Sequence, residues 1–192
     1  MANSKSKCRH CKEYFDKDLM VKVPLGYFCC YDHATLHAMS KSEESKRKKE
    51  AKKTREQKKS LLTASDYIKK AQSAVNGYIR VRDYGKPCIS CGGTPDQKIG
   101  GTMDAGHYRS RGAAGHLRFN TFNIHGQCVK CNRYNSGNAV DYRIMLIKKI
   151  GLDIVERLEN DNKPRKFTIE YLERLQKVFL KRARHLKRLR DI

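Results

Sequence analysis

Two Cys-x-x-Cys pairs constrain this chain more than any other feature of its sequence. Cys88 and Cys91 form the first pair, and Cys128 and Cys131 form the second. Each pair places two thiolates on one turn, and together they supply the four ligands that tetrahedral Zn²⁺ prefers. A redox role would need the strand and helix pattern of a thioredoxin unit, which neither pair has around it. The spacing therefore predicts a four-cysteine zinc site.

A second cysteine cluster lies near the N-terminus. Cys8 and Cys11 are followed by Cys29, Cys30 and His33. Four of these residues complete another tetrahedral set, in which either Cys29 or Cys30 is the third thiolate. We favour Cys29, because the Cys29-x3-His33 spacing leaves a full turn between the two donors. Four protein ligands leave no open position for water, so we expect structural zinc, about two ions per chain.

The composition indicates why the chain needs structural zinc sites. Hydrophobic residues make up 39% of the 192 residues, Trp is absent and the mean hydropathy is −0.78, so the core must be small. Zinc can supply the stability that a small core lacks. A reducing cytosol also disfavours disulfides, which favours metal binding by the cysteines.

Charge indicates the kind of partner. Lys and Arg number 42 against 20 acidic residues, a formal net charge of +22 that is spread along the chain. A polyanion would relieve this repulsion, and the spread favours an extended nucleic-acid footprint. The sequence has no apolar run long enough to cross a bilayer and a polar start, so we expect no membrane association and a cytoplasmic, nucleoid-associated location.

The pattern of apolar residues predicts a mainly helical α+β protein. Residues 1–39 would form the N-terminal zinc-binding module, 40–62 a basic helical linker, and 63–192 the main domain. In that domain, an amphipathic helix would begin at an N-cap Ser65, and Gly151 would close a later helix. The central segment 88–138 lacks helical periodicity, which is typical of loops and short strands around metal.

The C-terminal end predicts a long amphipathic helix that begins at an N-cap Thr168. Its last turns are strongly basic and are not balanced by nearby acidic residues. We expect them to bind DNA through Lys187, Arg188 and Arg190.

The residues between and just after the central cysteine pairs carry a family resemblance. They read MDAGHYRSRG, FNTFNIHGQC and CNRYNSGN. This pattern resembles the HNH, or ββα-metal, nucleases whose active-site finger contains a zinc ribbon. The resemblance implies that His107 is the general base, that Asn123 braces the hairpin, and that Asn132 binds a catalytic metal. An Asn directly after the last Cys, as at Cys131 and Asn132, is also similar to the phage junction resolvase endonuclease VII.

A wider resemblance covers most of the chain. The runs PCISCGG, DAGHYRS, LRFNTFNIHGQCVKCN and SGNAVDYR look like those of the NinG or Rap recombination endonucleases of lambdoid phages. The resemblance implies an endonuclease of the host bacterial cytoplasm that nicks branched DNA, such as Holliday junctions and D-loops. It also implies that the enzyme acts as a homodimer in recombination.

Elementary chemistry agrees with that activity. Phosphodiester hydrolysis needs a base for water and a cation for the developing charge, which His107 and one Mg²⁺ ion can supply. Arg109 and Arg111 follow His107 closely, so an arriving phosphate would meet cationic donors.

The remaining metal ligand is open between two residues. Many relatives have an Asp directly before the catalytic His, whereas this chain has Gly106 there and Asp104 three residues before His107. Residues three apart point to opposite faces of a regular strand, so Asp104 would need a bulge, which Gly106 makes easy. His125 is the competitor, as a second ligand or as a neighbour that orients the phosphate. We favour Asp104, because Mg²⁺ prefers oxygen donors.

Other functions remain open. The chain could be a non-catalytic zinc protein that binds DNA or RNA and keeps the finger as a scaffold. In that case His107 is a hydrogen-bonded hairpin residue and Asn132 a helix cap. A site-specific HNH enzyme would need a base-reading element, and we recognise none in the sequence. A scaffold needs neither His107 nor Asn132, so their presence favours the endonuclease.

Overall fold

The computed structural model describes residues 5–94 and 102–191 of the chain. The chain divides into two compact units, Met1–Leu62 and Thr63–Ile192, and the boundary coincides with the predicted start of the main domain. In the described residues, helices predominate and three antiparallel sheets have two strands each. The predicted mainly helical α+β class is confirmed.

Two small hairpins open the N-terminal unit. Strands β1 (Lys5–Lys7) and β2 (Tyr14–Asp16) pair with each other, as do β3 (Val21–Val23) and β4 (Gly26–Phe28). The buried residues of this unit form one small cluster, made of Cys8, Met20, Phe28 and Ala34. A core of this size needs further stabilisation, as the composition suggested.

Helix α1 (Tyr31–Ser60) contains residues 40–60 of the predicted linker 40–62 but begins earlier than the sequence suggested. The predicted boundary between residues 39 and 40 therefore lies inside a helix. Its buried residue is Ala34, and the rest is half-buried or exposed. Lys41 and Lys48 pair with Glu44 at 3.2 and 2.6 Å on the exposed surface. Such pairs support a solvated helix without burying a face.

Helix α2 (Ala64–Arg82) opens the second unit, and its cap corrects the prediction of Ser65. Thr63 is the N-cap: its Oγ1 accepts from the Asp66 backbone N at 3.3 Å, and Asp66 Oδ2 accepts from the Thr63 backbone N at 3.0 Å. A capping box needs a suitable polar residue three positions on. Thr63 has Asp66 there, whereas Ser65 has Ile68.

Helix α5 (Ile169–Arg190) begins where the sequence predicted and packs against α2. Thr168 is its N-cap, and its Oγ1 accepts from the Tyr171 backbone N at 3.3 Å. Phe179 meets Tyr78 of α2 edge-on, with ring centroids 5.1 Å apart. The apolar face predicted from helical spacing is thus partly buried, through Leu172 and Phe179.

A β-hairpin and two further helices complete the unit. Strand β5 (Met103–His107) pairs with β6 (Ile124–Cys128) in an unbroken antiparallel register. Helices α3 (Ala139–Ile150) and α4 (Leu152–Asn160) follow, separated by Gly151, whose φ of 86° suits a glycine at a helix end. The buried cluster beneath the hairpin is Ile89, Ala114, Leu117, Tyr142, Leu146, Val155 and Leu158.

No helix within residues 5–94 and 102–191 has both the length and the apolar content that crossing a membrane requires.

Candidate active site and metal centres

The four central cysteines converge at the end of the β5–β6 hairpin. The Sγ atoms of Cys88, Cys91, Cys128 and Cys131 all lie within 4.8 Å of one another, and Cys91 and Cys128 are 3.9 Å apart. Four thiolates around Zn²⁺ at about 2.3 Å would be roughly 3.8 Å apart. The Cys128 and Cys131 backbone N–H groups donate to the sulfurs of Cys88 and Cys128, which favours thiolates. The cluster therefore has the ligands and the spacing for structural zinc.

The N-terminal cluster has the same property. The ligand atoms of Cys8, Cys11, Cys29 and His33 lie within 4.8 Å of one another, and Cys29 Sγ is 2.8 Å from His33 Nδ1. Cys30 is the residue before α1 and lies outside this set, although its sulfur is 3.9 Å from that of Cys29. The geometry therefore favours Cys29 over Cys30 as the third thiolate.

A polar cavity of about 520 Å³ lies beside the four-cysteine cluster. Its walls include Asp104 and His107 of β5 and Asn132 of a π-helical turn, Lys130–Tyr134, that follows β6. Three residues that the sequence singled out for catalysis thus border one space. The cationic side chains at the same cavity are Arg80, Arg111 and Arg133.

Asp104 is the anionic centre of this cavity. Arg133 donates to it twice, from Nε at 2.7 Å and Nη2 at 2.8 Å, and Asn132 Nδ2 donates at 2.8 Å. The hydrogen bonds from Arg133 are the main reason that the Asp104 pKa is lowered, so the carboxylate is ionised at neutral pH. Asn132 contacts this carboxylate from inside the π-helical turn. It does not cap helix α3, because the N-cap residue of that helix is Asn138.

Asp104 and His107 border the same cavity, and β5 lacks the bulge that would let both residues reach one metal ion. The register runs unbroken from Met103 opposite Cys128 to His107 opposite Ile124. Position 106 needs a glycine for a different reason, because a Cβ atom there would lie only 2.1 Å from Gln127 Oε1. Asp104, Ala105 and His107 all line the cavity, so residues three apart in this strand border the same space.

The imidazole of His107 is oriented by the loop that follows β5. Its Nε2 is 3.1 Å from the carbonyl oxygen of Arg118. A carbonyl only accepts, so in the neutral ring Nε2 carries the proton and Nδ1 is the atom that accepts one. Burial lowers the His107 pKa, and the positive charges of Arg111 and Arg118 lower it further, against hydrogen bonds to the Arg118 and Ala105 backbone. The ring is therefore neutral at neutral pH.

His125 belongs to the core and not to the cavity. It is 2% exposed, and its Nδ1 lies 3.3 Å from the hydroxyl of Tyr142. Burial lowers the pKa of His125 to about 3, so the ring stays neutral. Between the two candidates for the remaining ligand, the geometry favours Asp104, because His125 is outside the residues that line the cavity.

Asn123 holds the start of the loop after β5. Its side chain is buried, accepts from the Arg109 backbone N at 2.8 Å and donates to the Arg109 carbonyl at 3.0 Å. The Arg109 guanidinium, predicted to bind DNA, turns inwards and donates to the carbonyls of Leu158, Glu159 and Asp161. It fastens the end of α4 to the loop, which leaves Arg111 as the arginine of this pair that borders the cavity.

Of the three basic residues at the end of α5 that were predicted to bind DNA, one makes contacts within the protein instead. Arg190 Nη1 donates to the carbonyls of Val81 and Arg82 at 2.6 and 3.2 Å. These carbonyls belong to the last turn of α2, so Arg190 satisfies acceptors that a helix end leaves open. Arg188 is exposed and Lys187 is half-buried, so both remain candidates for DNA contact.

Three contributors to the cavity and its support were not anticipated from the sequence. Arg80 reaches the cavity from α2, and nothing in its helical spacing indicated this. Arg133 also lines the cavity. It belongs to the CNRYNSGN segment, and its position next to Asn132 could have indicated that it lies at the site. Tyr142 of α3 donates to the Gly106 carbonyl at 3.1 Å. The sequence could not indicate this contact, because a tyrosine on the apolar face of a helix predicts only a core residue.

Comparison with known proteins shows the family of this chain. The family model for the bacteriophage lambda NinG protein matches residues 1–190. Protein ninG of Escherichia phage 933W is 36% identical over 202 residues, which cover 98% of this chain and 96% of that protein. Protein ninG of Salmonella phage P22 is 46% identical, and that of Escherichia phage lambda 43%, each over 131 residues. These two alignments cover 68% of this chain and 61% and 62% of the relatives. No solved structure matches significantly. The chain belongs to the NinG family of lambdoid phages.

Proposed function

We propose that this protein is a metal-dependent DNA endonuclease that nicks branched DNA, and that the cavity around Asp104 is its active site. One observation carries the proposal: a carboxylate, an oriented neutral imidazole and a carboxamide border one basic cavity. These groups are the ones that phosphodiester hydrolysis with a hard metal ion needs.

His107 is the general base of the proposed reaction. Its Nδ1 takes a proton from the water that attacks phosphorus, while the Arg118 carbonyl keeps the ring in place through Nε2. The phosphate oxygens would meet Arg80 and Arg111, which line the same cavity. A bound divalent ion would stabilise the charge on the phosphate and on the leaving oxygen.

The residues present fit a Mg²⁺ ion. Asp104 is ionised and can offer carboxylate oxygens of the kind that Mg²⁺ prefers, whereas Asn132 donates to it through Nδ2 and would offer its Oδ1 after the carboxamide rotates. Arg133 now neutralises Asp104, but its side chain is 62% exposed. The pair is bidentate, so a metal ion has to compete with Arg133 for the carboxylate, and the exposed guanidinium can move into solvent when it is displaced.

The four-cysteine cluster supports this centre without taking part in the chemistry. Cys131 directly precedes Asn132 in the π-helical turn, and Cys128 ends β6. Zinc bound there would fix the turn against the hairpin, and with it the distance from Asn132 to Asp104. All four ligands come from the protein, as in structural zinc sites.

Branched DNA is the proposed substrate because of the family and the charge. The motifs resemble those of recombination endonucleases, and the net charge of +22 suits several duplex arms. Exposed basic residues such as Arg111 and Arg188 can follow phosphates without reading bases, which favours recognition of shape.

The test is cleavage of a four-way junction against linear duplex of the same sequence, with and without Mg²⁺. Zinc-replete protein should nick the junction only with Mg²⁺ and should cut the duplex much more slowly. If it cuts neither DNA, the endonuclease proposal fails. Retained tight binding in that case would favour the non-catalytic DNA- or RNA-binding protein.

A further inference from the structure

A second cavity, of about 630 Å³, lies between the segment 161–168 and the loop around Leu117. Residues 161–168 connect α4 to α5. The proposed reaction uses none of the residues that line this cavity, among which are Phe119, Lys163, Arg165, Lys166, Phe167 and Tyr171.

Three aromatic rings form one wall of this second cavity. Phe167 and Tyr171 are stacked, with an interplanar angle of 18° and centroids 5.6 Å apart. Phe119 meets Phe167 edge-on at 5.0 Å. Phe119 is 7% exposed whereas Tyr171 is 40% exposed, so the array is anchored in the core and open at its outer ring. An open, rigidly backed aromatic face is a platform on which a nucleobase can stack.

Cationic side chains surround this platform. Lys163, Arg165 and Lys166 are exposed and line the cavity. The carboxylate of Asp161 also borders it, but accepts a hydrogen bond from the Lys163 backbone N at 3.2 Å and lies 3.7 Å from His116 Nε2. Flat aromatic surface inside a basic rim is the arrangement that binds unpaired nucleotides, with the base inside and phosphates outside.

One loop joins the second cavity to the proposed active site. The Arg118 carbonyl orients His107, and the neighbours of Arg118 in sequence, Leu117 and Phe119, line the second cavity. Gln72 Nε2 of α2 also donates to the Arg118 carbonyl, at 3.3 Å, and so holds this loop. A nucleotide bound in the second cavity would therefore contact the loop that positions the catalytic base.

We propose that this second cavity binds one unpaired nucleotide at the branch point of the DNA. The base would stack on the open outer face of Tyr171, which Phe167 backs, and its phosphates would contact Lys163, Arg165 and Lys166. The inference rests on the proposed function for the kind of DNA, and adds a contact for branched DNA whose branch point exposes an unpaired nucleotide. A linear duplex has no unpaired base to offer, so it gains nothing from this cavity.

The experiment measures binding and not cleavage. The 192-residue chain carrying His107→Ala is titrated, without added divalent metal, into a three-way junction with one unpaired 2-aminopurine at its branch point. A linear duplex is the comparison. Because the chain contains no Trp, the fluorescence of the probe can be followed without tryptophan emission. Stacking on an aromatic ring should quench the probe.

Two substitutions of the exposed outer ring separate stacking from bulk. Tyr171→Leu keeps an apolar side chain but removes the ring, and should weaken junction binding about tenfold and abolish quenching. Tyr171→Phe keeps the ring and should behave as the parent protein does. Duplex affinity should not change in either variant. Replacing Arg165 and Lys166 with Ala, which leaves the core intact, should reduce the salt dependence of junction binding.

The inference is overturned if Tyr171→Leu still quenches the probe, or if it weakens binding to junction and duplex equally. It is also overturned if Tyr171→Phe loses as much affinity as Tyr171→Leu. None of these readouts needs a nick, so failure of the endonuclease proposal would be seen separately.

Discussion

Asn132 donates a hydrogen bond to Asp104 at 2.8 Å, although 28 positions separate the two residues in the chain. Asn132 follows Cys131, a member of the four-cysteine cluster, and Asp104 belongs to β5. The contact therefore joins a structural metal centre to the proposed catalytic one. Because the two centres share the π-helical turn, loss of zinc should disturb the active site before it unfolds the helices.

Asp104→Asn tests the catalytic metal site. The substitution removes the negative charge but keeps the size of the side chain, so divalent metal should bind roughly 10–100-fold more weakly and nicking should fall with it. Mn²⁺ titration followed by electron paramagnetic resonance measures the affinity, and the zinc content should not change. Asp153→Asn, an exposed carboxylate in α4, is the matched control. Equal Mn²⁺ affinity in the Asp104 and Asp153 variants would remove Asp104 from the metal site.

Arg133→Ala should have the opposite effect on metal affinity. Arg133 holds Asp104 through two hydrogen bonds, so a metal ion must displace it. Without this competitor, Mn²⁺ should bind at least a few-fold more tightly, because no bidentate ion pair has to be broken first. Arg47→Ala, on the exposed surface of α1, controls for the lost positive charge. Weaker Mn²⁺ binding in Arg133→Ala would contradict the claim that the metal ion displaces the Arg133 guanidinium from Asp104.

The helices could be predicted from the sequence, whereas the candidate site could be predicted only in part. Caps and periodicity are local, so Thr168 and Gly151 were predicted correctly. Ser65 was wrong because the capping box at Thr63 depends on a reciprocal partner. The inward turn of Arg109 depends on where the end of α4 lies, and no local pattern encodes that. Gly106 was assigned to a bulge because its close neighbour, the Gln127 side chain, is distant in sequence.

Cys29 and Cys30 provide a matched pair for the N-terminal cluster. Cys29→Ser should remove one of about two zinc ions per chain, because its sulfur belongs to the four-ligand set. Cys30→Ser should keep both ions. Elemental analysis of the purified variants measures the ratio of zinc to protein. Equal zinc in the two variants, or loss only in Cys30→Ser, would show that the wrong thiolate has been assigned.

The pH dependence of nicking should reveal the lowered pKa of His107. A general base works in its neutral form, and burial lowers its pKa below the ordinary value of 6.5. The pH at which kcat/KM falls to half of its plateau should therefore lie below the ordinary value of 6.5. Stopped-time assays at constant ionic strength and saturating Mg²⁺ measure the profile. An inflection above pH 7 would contradict a neutral, buried base.

The most direct measurement is single-turnover nicking of one labelled four-way junction in Mg²⁺ by wild type and His107→Ala with equal zinc content. His185→Ala, which removes an exposed histidine of α5, is the control. The account predicts that His107→Ala is slower by about 10²–10⁴-fold and that His185→Ala nicks at the wild-type rate. Nicking by His107→Ala at the wild-type rate would contradict it.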